Sequence, residues 1–283
     1  MAAVAPQGDR DGIDESQAQE LTIDGPQPGA DDEMRTVFND PTTFNVKHPL
    51  YSSWTLWFDS PSTKGRAGGT GTPSTPSTAV PATPSGSQGW MDDIKKVVSF
   101  ESVEEFWGLF NNIVPPSSLP QRANYYLFKE SIIPAWEDAA NKDGGKWSIQ
   151  LPKEKNRNNV DKMWLYTMLA AIGETFDPYL TKDNTSGDSN EPPPTSLITG
   201  VIVSTRPQFY RLSIWTRQAP ANIGTPEDEQ LKARIEAIGK YFKTQVLGYG
   251  DTQKLGGPLA TDVEFVSHKD SEKKGKQTKK IVV

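Results

Sequence analysis

Residues 199–216 read TGVIVSTRPQFYRLSIWT, two runs of alternating side chains broken by a turn at Pro207. A strand sends successive side chains to opposite faces. In 209–216 this sets Tyr210, Leu212 and Ile214 on an apolar face and Arg211, Ser213 and Trp215 on the other. In 199–206, Val201 and Val203 take the apolar face and leave Ser204 and Arg206 beside Arg211. The stretch therefore predicts an antiparallel hairpin with one packed face and one polar, cationic, aromatic face. A four-residue loop at 207–210 would set Arg206 directly opposite Arg211. Like charges so placed cost a few tenths to about 1 kcal/mol, so the pair is better explained by an anion bound between them.

Strand and helix signals alternate on either side of this hairpin. Residues 51–58, 91–100 and 147–151 read as strands. A helix over 102–113 opens on a capping box, Ser102 with Glu105 three residues on, and carries Val103, Phe106, Trp107 and Phe110 on one stripe. A second, strongly apolar helix over 160–174 holds Trp164, Leu165, Met168, Leu169 and Ile172. The last begins with Thr225 as N-cap, Pro226 at the first position and Asp228 in the first turn, and stops before Gly248. Its Leu231, Ile235, Ile238, Phe242 and Val246 keep helical spacing. Antiparallel strands with a few amphipathic helices give an α+β domain, helices on one face of a sheet and the other face open to a ligand.

Outside these elements the composition is that of tails and loops. Hydrophobic residues make up only 35% of 283, and Gly and Pro number 23 each. Residues 1–43 form an acidic arm, net −8 over the first 40, expected to be disordered because it cannot bury enough apolar surface to offset its ordering entropy. The domain is placed at 44–283, with low-complexity insertions at about 60–89 and 181–196 and a basic C-terminal segment, net +4 over 265–283. With an overall charge of −6, a broad basic surface tracking long nucleic acid is excluded in favour of a compact site.

Cysteine is absent and histidine occurs only at 48 and 268, which leaves no thiolate chemistry and little material for a metal centre or a catalytic triad. No catalytic residue, metal ligand or cofactor is assigned, and the chain reads as a non-enzyme. No apolar run is long enough to span a membrane and the N-terminus lacks the order of a signal peptide, so the expected location is the cytoplasm, with the nucleus also open to it.

Eight tryptophans exceed what a core of this size needs. Trp54, Trp57 and Trp164 lie among apolar neighbours in periodic elements and read as core. Trp90, directly after Ser87-Gln88-Gly89, and Trp136, between Pro134-Ala135 and Glu137-Asp138, are instead expected on loops. Two loop indoles can stack on both faces of a base, each contributing about 1–3 kcal/mol. N7-methylated guanine carries a delocalised positive charge, and cation–π attraction adds about 0.5–2 kcal/mol for it over plain guanine. Glu137 could accept the paired N1–H and N2–H donors of guanine, while Arg206 and Arg211 hold the phosphates.

These residues resemble the eukaryotic translation initiation factor 4E family, the messenger RNA cap-binding proteins, with loop insertions of a fungal type. The likeness is carried by His48-Pro49-Leu50 with Trp54 and Trp57, by 102–107, Pro134-Ala135-Trp136-Glu137-Asp138, Gly144-Gly145-Lys146-Trp147, Trp164-Leu165, Ile172-Gly173-Glu174 and Ile214-Trp215-Thr216. It runs from about 48 to 216 without the insertions, and more loosely to the end. All eight tryptophans fall on family positions.

The resemblance implies a curved antiparallel sheet of about eight strands, three long helices on its convex back and a ligand slot on the concave face. It further implies that Trp90 and Trp136 stack on the 7-methylguanosine cap and that Glu137 and the Trp136 amide read the base. Arg206, Arg211 and more weakly Lys146 would bind phosphate, and Trp215 would touch the N7-methyl group. His48, Pro49, Val103, Trp107, Leu165 and Leu169 match a groove for a Tyr-x-x-x-x-Leu-hydrophobic helix from the scaffold initiation factor or from repressor proteins. The expected particle is a monomer that joins a complex.

This chain departs from the family in carrying Lys146 where Arg is commoner, which loses the bidentate fork. Tyr166 stands where relatives are acidic, and no regulatory serine has a counterpart among 273–280. Two other readings of these residues compete. A cap-binding repressor homologue is disfavoured by tryptophan at both 54 and 90. An aromatic-platform carbohydrate-binding module would use the same indoles and stays open to test, whereas a glycosidase is disfavoured because adjacent Glu137 and Asp138 seldom flank one scissile bond.

Overall fold

The computed structural model describes residues 35–36, 42, 44–61, 94–182, 195–221, 223–255, 261–271 and 280–283. The chain divides after Val46. In the short N-terminal unit Arg35 donates its amide to Asn45 Oδ1 at 2.6 Å and accepts from the Asn45 amide at 2.9 Å. The predicted arm and both predicted insertions, apart from their edges, lie outside the described residues.

Lys47–Val283 carries one eight-stranded antiparallel sheet. Its strands are β1 (Pro49–Asp59), β2 (Lys95–Ser102), β3 (Asn124–Lys129), β4 (Gly145–Pro152), β5 (Ile198–Thr205), β6 (Phe209–Thr216), β7 (Glu264–Ser267) and β8 (Ile281–Val282). Their order across the curved sheet is β2-β1-β3-β5-β6-β4-β7-β8. Three helices cover one face: α1 (Val103–Phe110), α2 (Val160–Ile172) and α3 (Pro226–Tyr241). This is the α+β arrangement expected from the alternation of signals.

Two apolar clusters lie on opposite sides of the sheet. The larger joins Trp54, Leu56, Trp147, Ile149, Val201, Leu212 and Ile214 of the strands to Phe106, Trp164, Met168, Ile235 and Ile238 of the helices. The smaller, on the uncovered face, holds Ile94, Tyr126, Phe128, Ile132, Ile202 and Trp215. Strand β3 separates the clusters and is buried on both sides.

The ends of α3 follow from local chemistry. Thr225 Oγ1 accepts from the Asp228 amide at 3.3 Å, a cap of about 1 kcal/mol. The Asp228 carboxylate in turn takes the amides of Ala221 and Ile223 and pins the incoming chain. After Tyr241 the helix widens into a π turn over Phe242–Val246, and Gly248 reverses the chain at φ 74°.

Four expectations need correction. Helix α1 stops at Phe110, and Glu105 completes its box on the Glu101 amide (3.0 Å) instead of on Ser102, while Ser102 Oγ accepts from Glu105 as expected. Strand β2 begins at Lys95 with Ile94 outside it, and residues 91–93 of the expected strand lie outside the described residues. Trp57 does not join the helix-side core; three residues from Trp54 on a strand, it points to the other face and packs against the smaller cluster. Arg211 stands opposite Ser204, because the hairpin turns tightly: Tyr210 pairs with Thr205 and the Arg206 amide donates to Phe209 O.

Candidate functional site

The uncovered face is built in rows. Asp59, Asn124, Ser204, Arg211 and Gln150 are successive register partners across β1, β3, β5, β6 and β4. A second row runs Phe128, Gly200, Trp215 and Lys146. Glycine at 200 is required by packing, since a Cβ there would lie 2.4 Å from the Phe128 ring. Trp215 sits edge-on to Phe128 at 5.5 Å and 4.3 Å from the His268 ring.

Three cations gather on this face. Burial, then the charge of Arg211, lowers the pKa of Lys146; burial, then the charge of Arg206, lowers that of Arg211. Arg206 Nη1 donates to Asn124 Oδ1 at 3.1 Å and to Thr205 O at 2.9 Å, and the Arg211 guanidinium lies over the Phe209 ring at 5.4 Å. None of the three forms an ion pair with a carboxylate among the described residues. Half-buried like charges without counter-charges are unfavourable until an anion arrives.

The segment between β3 and β4 presents Trp136, half exposed, and Glu137, whose carboxylate has no partner among the described residues. The frame behind them is tight. Asp138 accepts from the amides of Ile133 (2.9 Å) and Ala140 (2.8 Å), and fully buried Asn141 donates to the carbonyls of Ile133 (3.0 Å) and Ala135 (2.8 Å). Asp138, weighed from sequence as a partner carboxylate in a glycosidase, is thus the clip of this loop. Gly144 lets it close onto β6, where a Cβ would meet Thr216 O at 1.7 Å. Trp90 lies outside the described residues. Among those residues no group of side chains could hold a metal ion.

His268 was unassigned in the sequence. It is 5% exposed, its Nε2 has no hydrogen-bond partner among the described residues, and burial, then the Lys146 charge, brings its pKa down to about 4. An unfolded histidine titrates near 6.5. The unfolded chain therefore binds the proton first, and the stability that neutral His268 contributes is present above about pH 6.5 and lost as pH falls towards 4. The amount is on the order of 3 kcal/mol. Thermal unfolding followed from pH 7 to 4.5 should show a falling Tm that is flatter in His268→Phe; identical slopes would refute the assignment.

The helix-covered side carries the second predicted set. The His48 carbonyl accepts from the Val103 amide at 2.9 Å, and Glu104 holds the His48 amide and Nδ1 at 2.9 and 2.6 Å. These bonds seat exposed His48 and Pro49 beside the start of α1. The Glu101 amide, then Lys47, holds the Glu105 carboxyl down to about 2. Helix α1 buries Phe106 and leaves Val103 and Trp107 each 36% exposed. On α2, Leu165 and Leu169 are half-buried, with Tyr166 exposed beside Lys162. Val103 and Trp107 of α1 and Leu165 and Leu169 of α2 thus leave apolar surface on the outer side of the two helices.

The family model for eukaryotic initiation factor 4E matches residues 49–282, nearly all of the sheet and helices just described. The chain belongs to this family. Eukaryotic translation initiation factor 4E-1 of Schizosaccharomyces pombe is 38% identical over 256 residues, 90% of each chain. The factor of Saccharomyces cerevisiae is 36% identical over 221 residues, 78% of this chain and 80% of its own. Among solved structures, Ascaris suum eIF4E-3 in complex with the m2,2,7G cap is 28% identical with a TM-score of 0.54, over 84% of this chain and 99% of that one. The complex of C. elegans eIF4E-3 with the 4E-binding protein Mextli is 29% identical with the same TM-score, over 81% and 97%. The fungal character expected of this 4E family member agrees with its fungal relatives.

Proposed function

We propose that this chain binds the 7-methylguanosine 5′ cap of messenger RNA on the open face of its sheet, and recruits the scaffold initiation factor or repressor proteins through the α1–α2 surface, acting in the cytoplasm. The observation that carries the reading is the convergence of Lys146, Arg206 and Arg211, electrostatically coupled and without a carboxylate partner among the described residues, on the face that also holds Trp215 and, through Ile132 and Ala140, the ends of the Trp136–Glu137 loop. A polyphosphate relieves the mutual repulsion of the cations, while the loop indole and carboxylate suit a purine with N–H donors and a delocalised positive charge. Trp90, placed by the sequence resemblance alone, is the proposed second wall. Chemistry is not required of such a site, and no catalytic residue is proposed.

The test is tryptophan fluorescence during titration with 7-methyl-GTP and, separately, GTP. Strong quenching at low concentrations of the methylated nucleotide, with far weaker response to GTP, is expected. Equal response to both would overturn the cap reading. Raising salt should weaken binding with a slope near that of three neutralised phosphate contacts.

For the second surface, Trp107→Ala removes a partly exposed indole from the centre of the patch while Phe106 keeps α1 seated in the core. Affinity for a synthetic Tyr-x-x-x-x-Leu-hydrophobic peptide should fall by about 2 kcal/mol or more, roughly thirtyfold in Kd by calorimetry, with 7-methyl-GTP binding unchanged. Unchanged peptide affinity would remove Trp107 from the interface.

A further inference from the structure

The first row of the open face ends in a buried charge that the cap reading does not use. Asp59 is 2% exposed and Asn124, its register partner on β3, is 6% exposed. Asn124 Nδ2 donates to Asp59 Oδ1 at 2.5 Å and reaches Arg122 O at 3.4 Å, and the Tyr126 hydroxyl donates to the same Asp59 oxygen at 3.4 Å. Arg206 Nη1 donates to Asn124 Oδ1 at 3.1 Å. A primary amide has one acceptor and two donor positions, and a carboxylate accepts only. The carboxylate of Asp59 therefore fixes which way Asn124 is turned, and leaves its oxygen facing the guanidinium.

We propose that Asp59 and Asn124 are positioning residues for phosphate recognition: a buried carboxylate orients a neutral amide, and the amide holds Arg206 in place without cancelling its charge. The inference rests on the cap reading of the open face. Asparagine at 124 suits both demands of such a post. An aspartate there would ion-pair directly with Arg206, drawing its charge from the ligand, and would also confront Asp59 at hydrogen-bond distance. A hydrocarbon there would leave Arg206 tethered only to Thr205 O among these contacts, free to swing, and the ligand would then have to order the side chain at its own entropic cost. Neighbouring Tyr126, whose hydroxyl pKa is raised by burial and then by Asp59, remains a neutral donor and closes the inner side of the network.

A positioning role for a phosphate-binding group predicts loss confined to ligands that carry phosphate. Asn124→Leu and Asp59→Leu, in the full chain, are titrated by fluorescence with 7-methyl-GTP and with the nucleoside 7-methylguanosine. Each should weaken 7-methyl-GTP by about tenfold and leave the nucleoside within about twofold. Asp59→Asn, whose amide oxygen can still accept from Asn124, should recover most of the wild-type affinity. In an Arg206→Ala background the Asn124 change should have no further effect.

Equal losses for nucleotide and nucleoside would mean a merely structural role and overturn the proposal, as would unchanged 7-methyl-GTP affinity. If the leucine variants fail to fold, Asn124→Ser, a smaller polar side chain too short to hold Arg206, carries the same comparison. The two readings fail separately. Wild-type chain that binds GTP as tightly as 7-methyl-GTP overturns the cap reading alone, and the relay is then read with GTP against guanosine; wild-type chain that binds neither overturns both.

Discussion

Trp136→Ala should weaken 7-methyl-GTP binding by about 2–4 kcal/mol, roughly 30- to 1,000-fold, and abolish most of the ligand-induced quenching. The indole is half exposed, so a large part of its surface is open to a ligand. Removing it forfeits one base stack, about 1–3 kcal/mol, and the cation–π attraction special to the methylated base, about 0.5–2 kcal/mol. GTP lacks the second of these and should lose less, so selectivity for the methylated nucleotide should shrink along with affinity. The loop should survive, because the bonds of Asp138 and Asn141 that frame it do not involve the Trp136 side chain. Thermal unfolding should shift by no more than a degree or two. Retained tight, selective binding would show that the stacking platform lies elsewhere, and a large loss of stability would show that the loop depends on its tryptophan.

What the sequence disclosed depended on how local each feature is. The β5–β6 hairpin was readable because Val201, Val203, Tyr210, Leu212 and Ile214 alternate onto the helix-side core, although Ile202 and Trp215 pack on the open face as well. The start of α3 was readable because Thr225, Pro226 and Asp228 are the cap itself. Strand β3, which no alternation marks, went unread: NYYLFK is buried on both faces, and such a strand shows an unbroken apolar run. Its density of aromatic residues was the usable signal.

Trp57 was misplaced by reading apolar neighbours as a core without counting parity from Trp54. Arg206 and Arg211 were put on the correct face and in the wrong register, because turn length sets register and Pro207-Gln208 is tighter than assumed. The Asp59–Asn124–Arg206 network could not be read at all, since its members are brought together only by three strands pairing in register. Trp136 and Glu137 were legible as an exposed pair on a loop; the Asp138 and Asn141 bonds that make the loop stiff were not.

The helix-covered side should be far less tolerant, and Gly239→Ala should show it most cleanly. In an exposed helix interior this change stabilises by up to about 1 kcal/mol, through Ala's better helix propensity. Here a Cβ would fall 2.4–2.6 Å from three atoms of the Trp147 ring. That ring has no room to retreat: Trp147 is fully buried, packs on Phe265 at 5.4 Å, and donates Nε1–H to Ile235 O at 3.1 Å, the bond that docks α3 on β4. Overpacking of this kind costs about 1–3 kcal/mol, so steric conflict outweighs propensity and the variant should lose stability, with a Tm lowered by roughly 2–10 °C.

Trp147→Ala, which removes the ring and leaves a cavity, should cost about 3–5 kcal/mol. The decisive comparison is the double variant. With the indole gone the added methyl partly fills the space, so Gly239→Ala should become neutral or stabilising in that background, a coupling of about 2 kcal/mol or more by chemical denaturation. Additive losses would mean that the helix yields to the methyl instead of the ring. Because Gly239 lies under the opposite face of the sheet from Lys146, Arg206 and Arg211, the folded Gly239→Ala chain should still bind 7-methyl-GTP at near wild-type affinity, which separates damage to the scaffold from damage to the site.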